Sequence, residues 1–343
     1  MLKINETLVR TSRNFRINNI EFDENTIPNK IDEFNNVEII GETNNQIKQT
    51  EFVYGLGQIF DDQIIKNANQ TIYLEADGKD KRINFKFDEN NLNLIDNIQI
   101  VAKENSKTTI TICYEGTKNL NSYHNGLIDV YACENAKLDV IIINLTPISS
   151  TNLLTIQNQI KENSKVNYYI VDFGGKNSIT NYYSNLIGDN SDNQINTIYL
   201  GKKDQLFDIN YIVELRGKKS NVNIEVQGAL KDEAKKHFKG TIDFKRGCKK
   251  AKGNENESCM LLSNSARSLA LPMLLCSEED VEGNHSCSSG KVGNKELFYI
   301  MSRGFSIEDA MKLLVRAKFN NIISGIKDEE LKEKILTEID KKF

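Results

Sequence analysis

Apolar and polar residues alternate in three different ways along this chain. From Gln70 to Ile242 short runs rich in Ile, Val, Tyr and Thr are broken by clusters of Asn, Gly, Asp and Lys. Thr71–Leu74, Ile83–Phe87, Thr109–Ile112, Val140–Ile143, Asn167–Val171 and Val222–Val226 each read as a strand. Before residue 70 the pattern is mixed. Asn18–Phe22 reads as extended, and Leu56, Ile59, Phe60 and Ile64 have the spacing of a short amphipathic helix with Gly57 inside it. Beyond Leu297 the pattern turns helical. Ser306 followed by Asp309 resembles a capping box, and Ala310, Leu313, Leu314 and Ala317 then fall at helical spacing. A second helix is predicted from Asp328 to about Lys341, with Leu331, Ile335, Leu336 and Ile339 along one side. A helical hairpin of this size cannot build its own core, so it must lie against the rest of the chain or a partner.

The strand-like runs recur. Glu104-Asn105-Ser106-Lys107, Glu134-Asn135-Ala136-Lys137 and Glu162-Asn163-Ser164-Lys165 each precede one, at spacings of 30 (134 − 104) and 28 (162 − 134). Gly217-Lys218-Lys219-Ser220 continues the beat before Val222. A turn followed by β-branched residues at a fixed period marks a solenoid. Without helices between the strands, that solenoid is a β-helix, in which each coil buries its apolar face only by stacking on the next. A β-sandwich is the competing fold. The expected organisation is an N-terminal arm or short helical cap over 1–70, a β-helix core over 71–296 and a C-terminal helical subdomain over 297–343. A strict 28-residue coil would stack Cys248 on Cys276 and Cys259 on Cys287.

Composition narrows the function classes. The chain has 343 residues and a net charge of −4, so it carries no electrostatic footprint for nucleic acid. It has no run of 18 apolar residues and no apolar leader near the start, which points to a cytoplasmic protein away from membranes. In that compartment the six Cys are expected as thiols, metal ligands or reactive groups rather than disulfides.

The candidate chemistry lies between Leu271 and Ala317. An apolar run, Leu271–Cys276, reads as a buried strand. The acidic group Glu278, Glu279, Asp280 and Glu282 follows, and then a turn carrying His285 and Cys287. Two residues apart on an extended segment, His285 and Cys287 point to the same face, and imidazole with thiolate suits iron–sulfur or zinc ligation. Asp280 or Glu282 would orient the ring. The plainer alternative makes His285 a turn residue held by Asn284 and those acids. The acidic group itself reads as a solvated face rather than a pair of catalytic carboxylates. Gly290-Lys291-Val292 lacks the remainder of a phosphate loop. Cys113 and Cys133 read as core, and His124 and His237 as surface or satisfied residues.

Several motifs carry a family resemblance. Pro272-x-Leu274, Asp280-Val281 and His285 are followed by Leu297-Phe298-Tyr299, by Ser302-Arg303-Gly304 and by a helix. Upstream stand His237–Ile242 and Leu261-Leu262-Ser263. This pattern resembles the C-terminal signature of the SufB/SufD family of iron–sulfur cluster assembly proteins, SufD-like branch, over about residues 237–325. The resemblance implies a right-handed parallel β-helix flanked by helical ends, and a non-enzymatic subunit of a SufBCD-type complex. Such a subunit pairs with a SufB-like protein through the β-helix and docks a SufC-like ATPase on its C-terminal helices, around Arg303, Gly304, Ala310, Leu313, Leu314 and Ala317. An iron–sulfur cluster would be handled transiently, with His285 as the leading ligand candidate and Cys287 and Cys259 next. The SufB-like branch has Glu directly after the motif His, where Ser286 stands here. A self-sufficient homodimeric scaffold with an ATPase partner and a β-helix carbohydrate-active enzyme remain as alternatives.

Overall fold

The recurring tetrapeptides are one corner of a parallel β-helix. The computed structural model describes residues 1–11, 16–43, 50–117 and 120–343. Asn105, Asn135, Asn163, Asn190, Lys219 and Lys250 all adopt left-handed backbone there, with φ between 54° and 60°. That conformation lets each N–H turn along the solenoid axis. Asn135 N–H donates to the Glu162 carbonyl at 3.0 Å, Asn163 to Asp189 at 2.9 Å and Asn190 to Lys218 at 2.8 Å. Asn tolerates this region because its short polar side chain bonds locally, which explains why it dominates the early corners.

Between corners the chain runs straight, two strands to a coil. One sheet is the stack β4 (Gln70–Ala76), β6 (Asn93–Ala102), β8 (Tyr123–Ala132), β10 (Thr151–Ile160), β12 (Asn177–Leu186), β14 (Leu206–Leu215), β16 (Lys235–Phe244) and β18 (Arg267–Cys276). The facing sheet is β3 (Val37–Ile40), β5 (Lys81–Phe87), β7 (Lys107–Gly116), β9 (Lys137–Leu145), β11 (Lys165–Asp172), β13 (Asp192–Gly201), β15 (Asn221–Leu230), β17 (Ala251–Leu261) and β19 (Val281–Lys291). All neighbours are parallel except β3, which meets β5 antiparallel. The fold is therefore mainly β, a parallel β-helix, and the sandwich alternative is set aside.

Coil length varies, and this corrects the fixed 28-residue register. Asn152 lies opposite Ser178, an offset of 26 (178 − 152), while Phe244 lies opposite Cys276, an offset of 32 (276 − 244). In the last pair of the second sheet Glu257 faces Cys287 and Cys259 faces Ser289. The two proposed cysteine stacks are thus out of register, and all six cysteines are thiols. Cys113 is buried, but beneath the C-terminal helices rather than inside the solenoid, and Cys133 is half-buried beside a corner.

The interior is more polar than the sequence suggests. Tyr114, Tyr168, Tyr182, Tyr199 and Tyr211 are fully buried. Each hydroxyl is bonded there. Tyr168, for example, donates to Asn158 Oδ1 at 2.6 Å and Tyr182 to Asn193 Oδ1 at 2.8 Å. His124 is a satisfied core histidine, its ring nitrogens 2.5 Å from Asp96 Oδ1 and 2.7 Å from Asn152 Oδ1.

Both outer faces are covered. The N-terminal arm, with β1 (Leu2–Ile4), β2 (Ile20–Phe22) and α1 (Gln58–Asn67), sets Ile4, Phe22, Leu56, Phe60 and Ile64 against Leu127, Leu153 and Ile179 of the first sheet. A buried ion pair pins it, since Lys239 Nζ contacts Asp208 Oδ1 at 2.6 Å and the Asn5 carbonyl at 2.7 Å. Burial pushes the Asp208 carboxyl up, but Lys239 and His237 draw it below its usual value. On the other side α3 (Ile307–Ile323) and α4 (Glu329–Asp340) lay Val315, Phe319, Ile323, Leu331, Ile335 and Ile339 on Ile141, Val171, Phe173 and Ile198. Ser306 caps α3 by accepting from Asp309 N–H at 3.1 Å. A further helix, α2 (Asn294–Met301), precedes it where the sequence signalled only a motif. At the start of the solenoid Phe34 packs over Phe85 and Phe87. The last coil is unfinished: Met273 is the one buried residue of β18, and β19 has none. The run Leu271–Cys276 is a strand, but a mostly half-buried one, with Met273 buried and Cys276 exposed.

Candidate site at the open end of the solenoid

Strand β17 fixes the geometry by strict alternation. Ala251, Gly253, Glu255, Glu257 and Cys259 are buried, while Lys252, Asn254 and Asn256 face solvent. Pairing in register, β19 presents Val281, Gly283, His285, Cys287 and Ser289 on the same inward side. A Cβ added at Gly283 would lie 3.1 Å from the Phe244 ring, in agreement with that orientation. The outward side is a polar ladder in which Asn284 donates to Asn254 at 3.0 Å, Ser286 to Asn256 at 2.7 Å, and Glu282 pairs with Lys252 at 2.9 Å.

The segment holding His285 and Cys287 is therefore a strand, not the expected turn. Its neighbour in register is Glu255, so the expectation that Asp280 or Glu282 orients the imidazole is overturned: Glu282 points away and Asp280 lies beyond the strand. The acidic group is a solvated face, where Glu278 accepts from the Gly247 N–H at 2.9 Å.

Behind the open coil lies a set of buried charged groups. Lys236 of β16 is fully buried and donates to Glu257 Oε1 at 2.7 Å; Tyr199 of β13 donates to the same oxygen at 3.1 Å. Glu255 has no such partner. Desolvation and the neighbouring Glu257 push its carboxyl up to about 8. Cys287 is half-buried, and desolvation with the fields of Glu255 and Glu257 pushes its thiol up to about 12, against the pull of Lys236. Burial likewise raises Cys259, where Lys236 and Tyr199 act in the opposite direction. These thiols stay protonated at neutral pH until a cation or a conformational change relieves them.

His285, Cys287 and Cys259 thus share one interior face across two adjacent strands. They are not gathered at a point: among the described residues no three His, Cys, Asp or Glu side chains are close enough together to hold a metal ion. Sequence reasoning missed Glu255, Glu257, Lys236 and Tyr199. The available signal was the alternation Ala-x-Gly-x-Glu-x-Glu-x-Cys from residue 251, in which the acids fall in phase with small and apolar positions.

The residues expected to meet a partner divide into two groups. Arg303 stacks over the Tyr299 ring at 5.2 Å, and Gly304 takes φ +96° in an open turn. Leu313 and Ala317 are exposed, whereas Ala310 is buried and Leu314 half-buried, so the side of α3 that the four share is only partly open to a partner. Val315, Phe319 and Ile323 form the stripe that faces the solenoid. Phe298, Tyr299, Met301, Phe305 and Ile307 add further exposed apolar side chains between α2 and the start of α3. One further bond ties these helices to the site: Lys318 Nζ donates to Ser258 Oγ on β17 at 2.6 Å. No helix among the described residues is long and apolar enough to cross a membrane.

Residues 85–318 match the family model described as SUF system FeS cluster assembly, SufBD core domain. The chain is similar to the iron–sulfur cluster assembly protein SufD of Bacillus subtilis, 26% identical over 257 residues, which are 74% of this chain and 59% of that protein. It is also similar to an iron–sulfur cluster assembly SufBD family protein of Pyrococcus horikoshii, 28% identical over 246 residues, 71% of this chain and 54% of that protein. The match spans somewhat more than half the length of these curated relatives.

Proposed function

Because this chain belongs to the SufBD core family of SUF-system iron–sulfur cluster assembly proteins, we propose that it is a SufD-like, non-catalytic subunit that helps build or transfer iron–sulfur clusters in the cytoplasm. The observation that carries this reading is the unfinished last coil, where His285 and Cys287 face the interior above Glu255, Glu257 and Lys236. Imidazole, thiol and carboxylate on one inward side supply donors that suit iron. The cluster is cargo rather than a resident group, in keeping with donors that lie along a strand instead of around a point.

Two surfaces serve the assembly. The bare edges of β18 and β19 offer unpaired backbone groups to a SufB-like subunit, which would complete the last coil by strand pairing. The apolar stretch from Phe298 to Ile307, with Leu313, takes a SufC-like ATPase. The bond from Lys318 to Ser258 gives movement of α3 a direct handle on β17, the strand that holds Glu255, Glu257 and Cys259.

Co-expression with a SufB-like protein and a SufC-like ATPase, followed by native mass spectrometry, tests the reading. A complex containing all three, able to form a cluster when given iron and sulfide, is expected. A chain that assembles as a homodimer with the ATPase and forms the cluster alone would assign it the scaffold role instead. Recruitment of neither partner would overturn the assignment.

A further inference from the structure

The seam between the N-terminal arm and the first sheet holds more positive charge than it neutralises. A cleft of about 540 Å³ opens there, lined by Lys3, Arg10, Arg16, Asn18 and Glu21 of the arm and by His237 of β16. Arg10 is held by Glu6 at 2.7 Å. Glu21 is the register neighbour of Lys3, yet among the described residues neither the Lys3 nor the Arg16 side chain has an ion pair or a hydrogen bond. Asn18 is 9% exposed; its Oδ1 accepts from Thr7 Oγ1 at 3.4 Å, and its amide nitrogen donates to no described residue. His237 forms the inner wall. Its Nδ1 is buried 3.5 Å from Asp208 Oδ2 without a hydrogen bond, and its side chain is 20% exposed, so the ring meets the cleft by its other edge. Asp208 is already engaged by Lys239 and Asn5, each at 2.6 Å, so its charge is answered behind the ring and not in the cleft.

We propose that this cleft is an anion site for the phosphate or diphosphate group of a small phosphorylated molecule, gripped by Lys3, Arg16 and Asn18 of the arm and by His237 of the sheet. The inference does not depend on the role in cluster assembly. Two unmatched cations exceed what one carboxylate would neutralise and suit a group with two or more charges. A guanidinium presents its N–H groups to phosphate oxygens as a fork, an ammonium does so as a point charge, and the Asn18 amide adds neutral donors. The concave shape fits a small molecule. A long polyanion such as nucleic acid would also meet the rest of a chain whose net charge is −4. Binding makes and breaks no covalent bond. Because the donors come from both the arm and β16, an occupied site ties β1 and β2 to the solenoid and stabilises the docked arm.

Isothermal titration of the full chain with pyrophosphate at fixed ionic strength tests this, with citrate as a polyanion that offers only carboxylates. Wild type is expected to bind pyrophosphate saturably at one site per chain and at least tenfold more tightly than citrate. Arg16→Gln and His237→Gln should each lose at least tenfold in affinity. Lys3→Gln, on the exposed side of the β1–β2 ribbon, should lose affinity with no change in circular dichroism, which keeps a clear result within reach if His237→Gln disturbs the packing around Asp208. Lys107→Gln removes the same charge from an exposed position on the opposite sheet and should bind as wild type does. Amide hydrogen exchange on wild type, which needs no variant, should show pyrophosphate protecting β1 and β2. Binding that does not saturate, equal affinity for citrate, wild-type affinity in both Arg16→Gln and Lys3→Gln, or exchange in β1 and β2 unaltered by pyrophosphate overturns the site.

Discussion

Glu257 and Cys287 stand directly opposite each other on adjacent strands, both directed into the solenoid. The pairing places the thiol beside a carboxylate instead of beside Cys259, and it decides how the cysteines behave. Burial and nearby carboxylates push Cys287 to about 12 and Cys248 to about 11, and burial pushes Cys113 to about 11. Cys276 is exposed, on the open last coil.

A colorimetric disulfide reagent at pH 8 should therefore label Cys276 rapidly and Cys113, Cys248 and Cys259 only on unfolding. Mild oxidation should yield no bridge between Cys259 and Cys287. Recovery of that bridge by mass spectrometry would show that the last coil is not in the register described.

Glu255 should leave a mark on the pH dependence of stability. Its folded carboxyl is raised from 4.5 to about 8. The proton is thus held more tightly folded than unfolded, and the stability this contributes is full below about pH 4.5 and lost as pH rises toward 8. The integrated loss is up to a few kcal/mol, on the order of 1.4 kcal/mol for each pH unit between the two values. Melting temperatures measured from pH 5 to 8.5 should fall more steeply in wild type than in Glu255→Gln, because the amide has no proton to lose. Parallel curves would mean that the carboxyl ionises without penalty.

How much of this was legible depended on which face a residue served. The corners were plain, because left-handed backbone demands Asn or a tolerant residue at each turn, and the tetrapeptides around Asn105, Asn135 and Asn163 repeat accordingly. The strands of the second sheet were also visible, since Val140–Ile143 and Val222–Val226 concentrate β-branched residues. The first sheet was nearly silent. Strands such as β12, Asn-Ser-Ile-Thr-Asn-Tyr-Tyr-Ser-Asn-Leu, bury polar side chains inward against Asn152 and outward against the arm, so no apolar alternation survives. The site suffered for a related reason. Its location followed from motifs in the sequence, but its depth did not. Only the register shows that Glu255 and Glu257 lie behind His285 and Cys287, and coils of unequal length cannot be phased from one spacing.

The corner argument is itself testable. Asn163, at φ 56°, makes the turn between β10 and β11. Asn163→Gly should be close to neutral, whereas Asn163→Val should cost about 1–2 kcal/mol, since a β-branched residue resists left-handed backbone. Urea denaturation of the two variants provides the comparison; equal stabilities would contradict the account of the repeat.

Phe298 is 74% exposed on α2 and takes no part in the solenoid's buried clusters. Phe298→Asp should leave the melting temperature within a degree or two and weaken copurification of the ATPase at least tenfold, because a charge would have to be desolvated in an apolar contact. Ile335→Ala, buried between α4 and the sheet, should do the reverse at first order. It removes core packing at a cost of about 2–5 kcal/mol and lowers docking only in proportion to the unfolded fraction. Unaltered recruitment by Phe298→Asp would place the docking surface elsewhere.

His285 separates a ligand from a lip residue. It is exposed, belongs to the inward set of β19 and has Glu255 as its register neighbour. Removal of the ring from a position with so little buried area should change stability by no more than about 0.5 kcal/mol. His285→Ala is therefore expected to fold, to recruit the same partners and to support the same ATPase rate as wild type. Cluster formation by the assembled complex should drop by an order of magnitude or more, because no second imidazole lies on that face: His124 is sealed in the interior between Asp96 and Asn152, and His237 sits beside Asp208 under the N-terminal arm. His285→Cys should recover part of the loss, since a thiolate at the same inward position can replace the ring nitrogen as a ligand. A merely structural role predicts the opposite ordering, with lower melting temperature or weaker partner binding in His285→Ala, normal reconstitution and no benefit from Cys. Measuring reconstitution and melting temperature on the same preparations distinguishes the two.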